Sequence, residues 1–100
     1  MIHRYKTSQT TVAGEVSWNS DDLKGMNLQL AIKPATATTV YDISMTDDDS
    51  IVTYQKKGLK GTSVDSTQFG LYGVYTVAIT NSSANELFNF SIRFDEIMRR

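Results

Sequence analysis

Residues 88–94 read Phe-Asn-Phe-Ser-Ile-Arg-Phe, an order that suits an extended chain and not a helix. Phe88, Phe90, Ile92 and Phe94 alternate with Asn89, Ser91 and Arg93, so the apolar side chains share a face only at a period of two. A helix would need apolar residues three and four apart. The same period recurs upstream. Tyr75, Val77 and Ile79 alternate with Thr76, Ala78 and Thr80, and Tyr41, Ile43 and Met45 with Asp42 and Ser44. Met26, Leu28, Leu30 and Ile32 read as one face of a further strand. Val12, Gly14, Val16 and Trp18 read as another, with Trp18 directed to the core. One buried face and one wet face per strand is the habit of antiparallel sheets.

Turn residues separate these runs. Asn19-Ser20-Asp21-Asp22, Lys33-Pro34, Asp47-Asp48-Asp49-Ser50, the pairs Gly58/Gly61 and Gly70/Gly73, and 81–85 all carry residues that turns favour. Strands are expected near 3–7, 11–18, 26–33, 38–46, 51–57, 62–68, 73–81 and 87–95, with Asp21 to Lys24 and the segment from Asp95 to Arg100 as the only places for a helical turn. Turns about ten residues apart mark a sandwich or barrel. The expectation is a single all-β domain over residues 1–100, an antiparallel β-sandwich, jelly-roll-like, of seven or eight strands.

Composition narrows the chemistry. The 100 residues carry ten Lys and Arg against eleven Asp and Glu, a formal charge of -1, which argues against a broad basic footprint for nucleic acid or anionic membrane. With no cysteine there is no disulfide framework and no thiolate metal site. The first residues, Met-Ile-His-Arg-Tyr-Lys, lack the apolar run of a signal peptide, and no run approaches the length that spans a bilayer. This fits a protein made and assembled in a reducing cytoplasm, or a domain stabilised by partner contacts.

No residue pattern meets the needs of a common catalyst. His3 is the single histidine and reads as a surface residue of the first strand. There is no Gly-x-Ser-x-Gly elbow, and 57–62 (Lys-Gly-Leu-Lys-Gly-Thr) lacks the first glycine of a phosphate-binding loop. Asp47-Asp48-Asp49 is oxygen-rich, but the positions where a calcium loop needs Gly and Glu hold Val52 and Gly58, so a solvated hairpin tip is the better reading. Lys56, Lys57 and Lys60 read as a solvated loop. The expectation is a protein that is not an enzyme and takes no cofactor or metal.

The stretch from Tyr41 to Phe94 carries a further signal. It runs Tyr-Asp-Ile-Ser-Met-Thr-Asp-Asp-Asp-Ser-Ile-Val-Thr-Tyr, then a Gly-x-x-Gly-Thr turn, then Gly-Val-Tyr-Thr-Val-Ala-Ile-Thr-Asn, and ends on Phe-x-Phe-x-Ile-x-Phe. This resembles the small jelly-roll and β-sandwich structural proteins of tailed bacteriophages, and the β-sandwich domains appended to secreted bacterial proteases. In both, a Gly-x-Tyr-x-Val strand carries core residues, here Gly73, Tyr75 and Val77. A chain starting at its own Met1 without a secretion signal leans toward the phage proteins.

The resemblance implies a virion protein made in the host cytoplasm: a capsid decoration or cement subunit, or a minor head, neck or tail component. Its partners would be other virion proteins, as a homo-oligomer or bound to a lattice, with no nucleic acid and no membrane. Candidate contact residues are Ile2 and Tyr5 near the start, Tyr72 in the turn between Gly70 and Gly73, and Ile97 and Met98 near the end. The alternative is a carbohydrate-binding module that uses Tyr72 as a stacking platform, with a glycan as ligand.

Overall fold

Nine strands account for the chain in the computed structural model, which describes residues 1–96: β1 (Ile2–Thr10), β2 (Val16–Asn19), β3 (Leu23–Pro34), β4 (Val40–Thr46), β5 (Val52–Lys60), β6 (Ser63–Asp65), β7 (Gly70–Gly73), β8 (Thr76–Thr80) and β9 (Leu87–Asp95). They form two antiparallel sheets. One has the order β1-β9-β3-β6, with β7 also pairing β3; the other has the order β2-β8-β4-β5. Because β6 and β7 share one side of β3, the nine strands fill eight positions. Successive strands β1 and β2, and β3 and β4, lie in opposite sheets, which is the double Greek-key wrap of a jelly roll.

The core lies between the sheets and is made by the alternations themselves. Phe88, Phe90, Ile92 and Phe94 of β9 face Tyr41, Ile43 and Met45 of β4 and Val77 and Ile79 of β8, and all nine are buried. Tyr41 stands edge-on to Phe88 with ring centres 5.0 Å apart, and its hydroxyl donates to the Gly61 carbonyl at 2.7 Å. Burial of each such side chain is worth about 1.5–3 kcal/mol, and the polar tip is satisfied as well. That burial pushes the Tyr41 hydroxyl up to about 12.

Several expectations are corrected. First, the strand expected over 11–18 is broken by a tight hairpin. The backbones of Val12 and Glu15 bond reciprocally at 2.9 and 3.2 Å, and Ala13 and Gly14 between them both have positive φ, 55° and 87°. Two central residues of positive φ are the hairpin turn that matches strand twist. Val12 is therefore 74% exposed, while Thr11 is buried and bonded to Ser83 and Glu86.

Second, β3 does not keep one face from end to end. Its register with β9 jumps between Asn27 and Gln29, leaving Leu28 as a bulge residue. One extra residue exchanges the faces of everything on one side of it. Leu30 and Ile32 are buried as expected, but on the other side Leu23 and Asn27 point inward while Met26 does not.

Third, the strand expected over 62–68 is only the three residues of β6, followed by a loop, and the expected turn at Gly70–Gly73 is itself strand β7. The segment from Asp21 to Lys24, the place for a helical turn, runs instead into the start of β3. Lys56, Lys57 and Lys60 lie not in a loop but along β5, which extends to Lys60. Asp47 to Ser50 is a hairpin tip as read, with Asp47 Oδ1 accepting from the backbone N–H groups of Asp49 and Ile51.

Candidate protein-contact surface

A jelly roll leaves four strand edges, and here two of them are long. β1 ends the first sheet and β5 ends the second, each nine residues. They differ in regularity. β5 pairs β4 with two register shifts, whereas β1 pairs β9 through nine successive positions, from Ile2 opposite Asp95 to Thr10 opposite Leu87, without a break. Bulges, proline, inward charges and charged side chains on the edge itself, lysine above all, are the usual protections, and of these β1 has the last in Arg4 and Lys6. β1, Ile-His-Arg-Tyr-Lys-Thr-Ser-Gln-Thr, has neither a bulge nor a proline. Among the described residues nothing pairs with its other side.

The side chains of β1 alternate strictly. His3, Tyr5, Thr7 and Gln9 are half-buried toward the second sheet, while Ile2, Arg4, Lys6, Ser8 and Thr10 are exposed on the outer face. The half-buried set is anchored. Trp18 Nε1 of β2 donates to the Tyr5 hydroxyl at 3.1 Å, and both rings stand edge-on to Phe90. Burial is the main cause that raises the Tyr5 hydroxyl above its ordinary range, opposed by the Trp18 hydrogen bond. His3 is less free than a surface residue: it stacks on Phe94 and its Nε2 lies 2.9 Å from Glu96 Oε1.

The outer face next to β1 is basic. Register places Arg4 opposite Arg93, which in turn is opposite Gln29; the next row is Lys6, Ser91, Ala31 and Val64; the next is Ser8, Asn89 and Lys33. A trough of about 580 Å³ runs over these rows, with Arg4, Lys6, Ser8, Lys33, Asn89 and Ser91 in its lining. Among the described residues Arg4, Lys6, Lys33 and Arg93 make no salt bridge. The carboxylate one row along, Asp95, is held by the amino terminus at 3.0 Å.

The contact residues expected from sequence fall as follows. Ile2 is 55% exposed on the outer face, at the Asp95 end of β1. Tyr72 is 79% exposed opposite Lys24 at the far side of the same sheet. Tyr5 is turned inward to Trp18 and offers only part of its ring. Ile97 and Met98 lie outside the described residues. Sequence reasoning missed the basic rows, because Arg4, Lys6, Lys33 and Arg93 come from three strands and only the sheet order makes them neighbours. Their one sequence trace is that each sits at a polar position of an alternation.

The remaining candidates are quickly placed. Asp47, Asp48 and Asp49 offer carboxylate oxygens within 4.8 Å of one another, but Asp47 already serves two backbone groups in closing the hairpin tip. Among the described residues no helix is long and apolar enough to cross a membrane. No protein-family model matches the chain, and no curated protein sequence matches it.

Proposed function

We propose that this chain is a non-enzymatic structural subunit, of the kind built into tailed-phage particles as decoration, cement or a minor head or tail component, and that it works by associating with other protein chains. The observation that carries the reading is the open, unbroken edge of β1. The outward-facing N–H and C=O groups of every second residue along nine regular positions are a template for another strand, and an isolated sandwich that leaves such an edge bare is prone to indiscriminate pairing. A defined neighbour that covers it removes that hazard. Repetition of a modest contact over a lattice multiplies its effect without any further interface. The rhythm of residues 41–94 supports the same reading by its resemblance to phage β-sandwich proteins.

The test is sedimentation. In a host producing the particles, the wild-type chain is expected to travel with them and to stay with them through a density gradient. Lys6→Pro, which removes one β1 backbone donor and leaves the core untouched, is expected to release it. A wild-type chain that stays monomeric and free of particles at every stage would overturn the proposal.

A second reading, a carbohydrate-binding module, draws on a different place. Tyr72 presents its ring to solvent on β7. An exposed aromatic ring is the platform on which a sugar stacks. Glycan-array binding abolished by Tyr72→Ala would favour it, and an array without signal would remove it.

A further inference from the structure

The basic rows beside β1 say what kind of strand its edge selects. We propose that β1 accepts, by strand addition, an extended acidic segment of another protein chain, whose alternate carboxylates pair with Arg4 and Lys6. The inference rests on the association reading above and names the chemistry of the partner.

Three observations carry it. Arg4 and Lys6 are two residues apart on the exposed face of an edge strand, about 6.8 Å along the chain. A strand laid against β1 presents its own alternate side chains at that spacing, about 4.8 Å away. Acidic residues at every second position therefore meet both cations at once.

Arg4 also stands directly opposite Arg93, a like-charge cross-strand pair in which neither residue makes a salt bridge among the described residues. Such pairs are unfavourable. An incoming carboxylate beside Arg4 converts the repulsion into attraction, and the trough with Asn89, Ser91 and Lys33 leaves room for it to lean over the sheet.

The same charges argue against a second copy of β1 as the occupant. Full antiparallel overlap of two Ile2–Thr10 strands centres on Lys6, so Lys6 would face Lys6 of the other copy. The edge thus repels itself and attracts an acidic stranger, which is specificity obtained through a repulsive element as well as an attractive one. Free-standing polyanions are the less fitting ligand, because the rows hold no exposed aromatic ring for bases and the chain as a whole is slightly acidic.

The experiment uses the full-length chain labelled with ¹⁵N and four probes. These are a nine-residue peptide alternating Glu with Thr and Val, its Lys-for-Glu counterpart, the Glu peptide interrupted by two prolines, and a heparin oligosaccharide. The Glu peptide is expected to shift and protect the β1 amides. The Arg4→Glu/Lys6→Glu double variant, with an unchanged thermal melt, should weaken that binding at least tenfold, and raised salt should weaken it too. Equal binding of the proline-interrupted peptide or of heparin would overturn strand addition, since neither can extend the sheet. Equal binding of the Lys peptide would overturn the charge selection, and β1 amides unmoved by the Glu peptide would overturn the whole. A chain that fails to sediment with particles yet takes up the Glu peptide separates failure of the association reading from failure of this one.

Discussion

Asn27 is the residue on which the first sheet's irregularity turns. It is fully buried, donates Nδ2–H to the Thr67 carbonyl at 2.7 Å, and donates its backbone N–H to the Phe69 carbonyl at 2.8 Å. Together these bonds hold the loop between β6 and β7 against β3. Among the described residues its Oδ1 has no partner. Asn27→Ala removes the side-chain anchor, and a loss of about 1–3 kcal/mol is expected in urea denaturation. Asn27→Asp should cost more at neutral pH, because a carboxylate there is buried and faces the Thr67 carbonyl instead of donating to it. Stability unchanged by both substitutions would contradict this role. An inward Asn amid apolar alternation is what hides the bulge from a reader of the sequence, since Met26 and Leu28 offer an apparently cleaner apolar face.

At the scale of elements, two glycines of positive φ, Gly14 in the β1–β2 turn and Gly58 at a register shift within β5, carry the clearest contrast. Gly14 has φ of +87°, and a Cβ there would lie 2.5 Å from the Ser82 carbonyl oxygen. Gly58 has a similar φ of +68° with open space around it. Gly14→Ala is therefore expected to lower stability by more than about 1 kcal/mol. Gly58→Asn, a residue that tolerates this conformation, should change it by no more than about 0.5 kcal/mol. Paired thermal melts check both, and equal effects would contradict the account.

Period two was enough to place β4, β8 and β9, because each of those strands buries one face without interruption. It failed where a strand bends or ends. The turn at Ala13–Gly14 sits inside a run that still alternates on paper, the extra residue at Leu28 is apolar, and β6 has too few apolar side chains to show a face. Alternation says which residues are exposed and not which strands are neighbours. Ile2 and Tyr72 were legible as contact candidates from their places at the chain start and between Gly70 and Gly73, whereas the row of Arg4 and Arg93 needs the sheet order.

Over the whole molecule, both open flanks of the sandwich are closed by a tyrosine. Tyr5 of β1 accepts from Trp18 of β2 on one side, and on the other the Tyr54 hydroxyl of β5 donates to Asp65 of β6 at 2.7 Å. Thr67, through hydroxyl and backbone N–H, and then Tyr54 hold the Asp65 carboxyl below its usual range, against the opposing effect of burial. The Gly58 N–H, then Asn81, do the same for Asp42 on β4.

A carboxyl lowered on folding adds stability that is fully present above its unfolded value, about 3.9, and is lost as pH falls through the folded one. The denaturation midpoint should therefore hold from pH 7 to about 4 and fall below it. Asp42→Asn and Asp65→Asn should each make that fall shallower, and an acid limb identical to wild type in the double variant would contradict the assignment.

In the proposed assembly, the β1 edge is open in the free chain and becomes covered by a partner. Residue-resolved amide hydrogen exchange tests this directly. In the free chain, β1 amides should alternate between slow exchange, where they bond β9, and fast exchange, where they face outward; in the purified particle the fast set should become slow. Uniform protection along β1 in the free chain, or an alternation that persists unchanged in the particle, would contradict the claim.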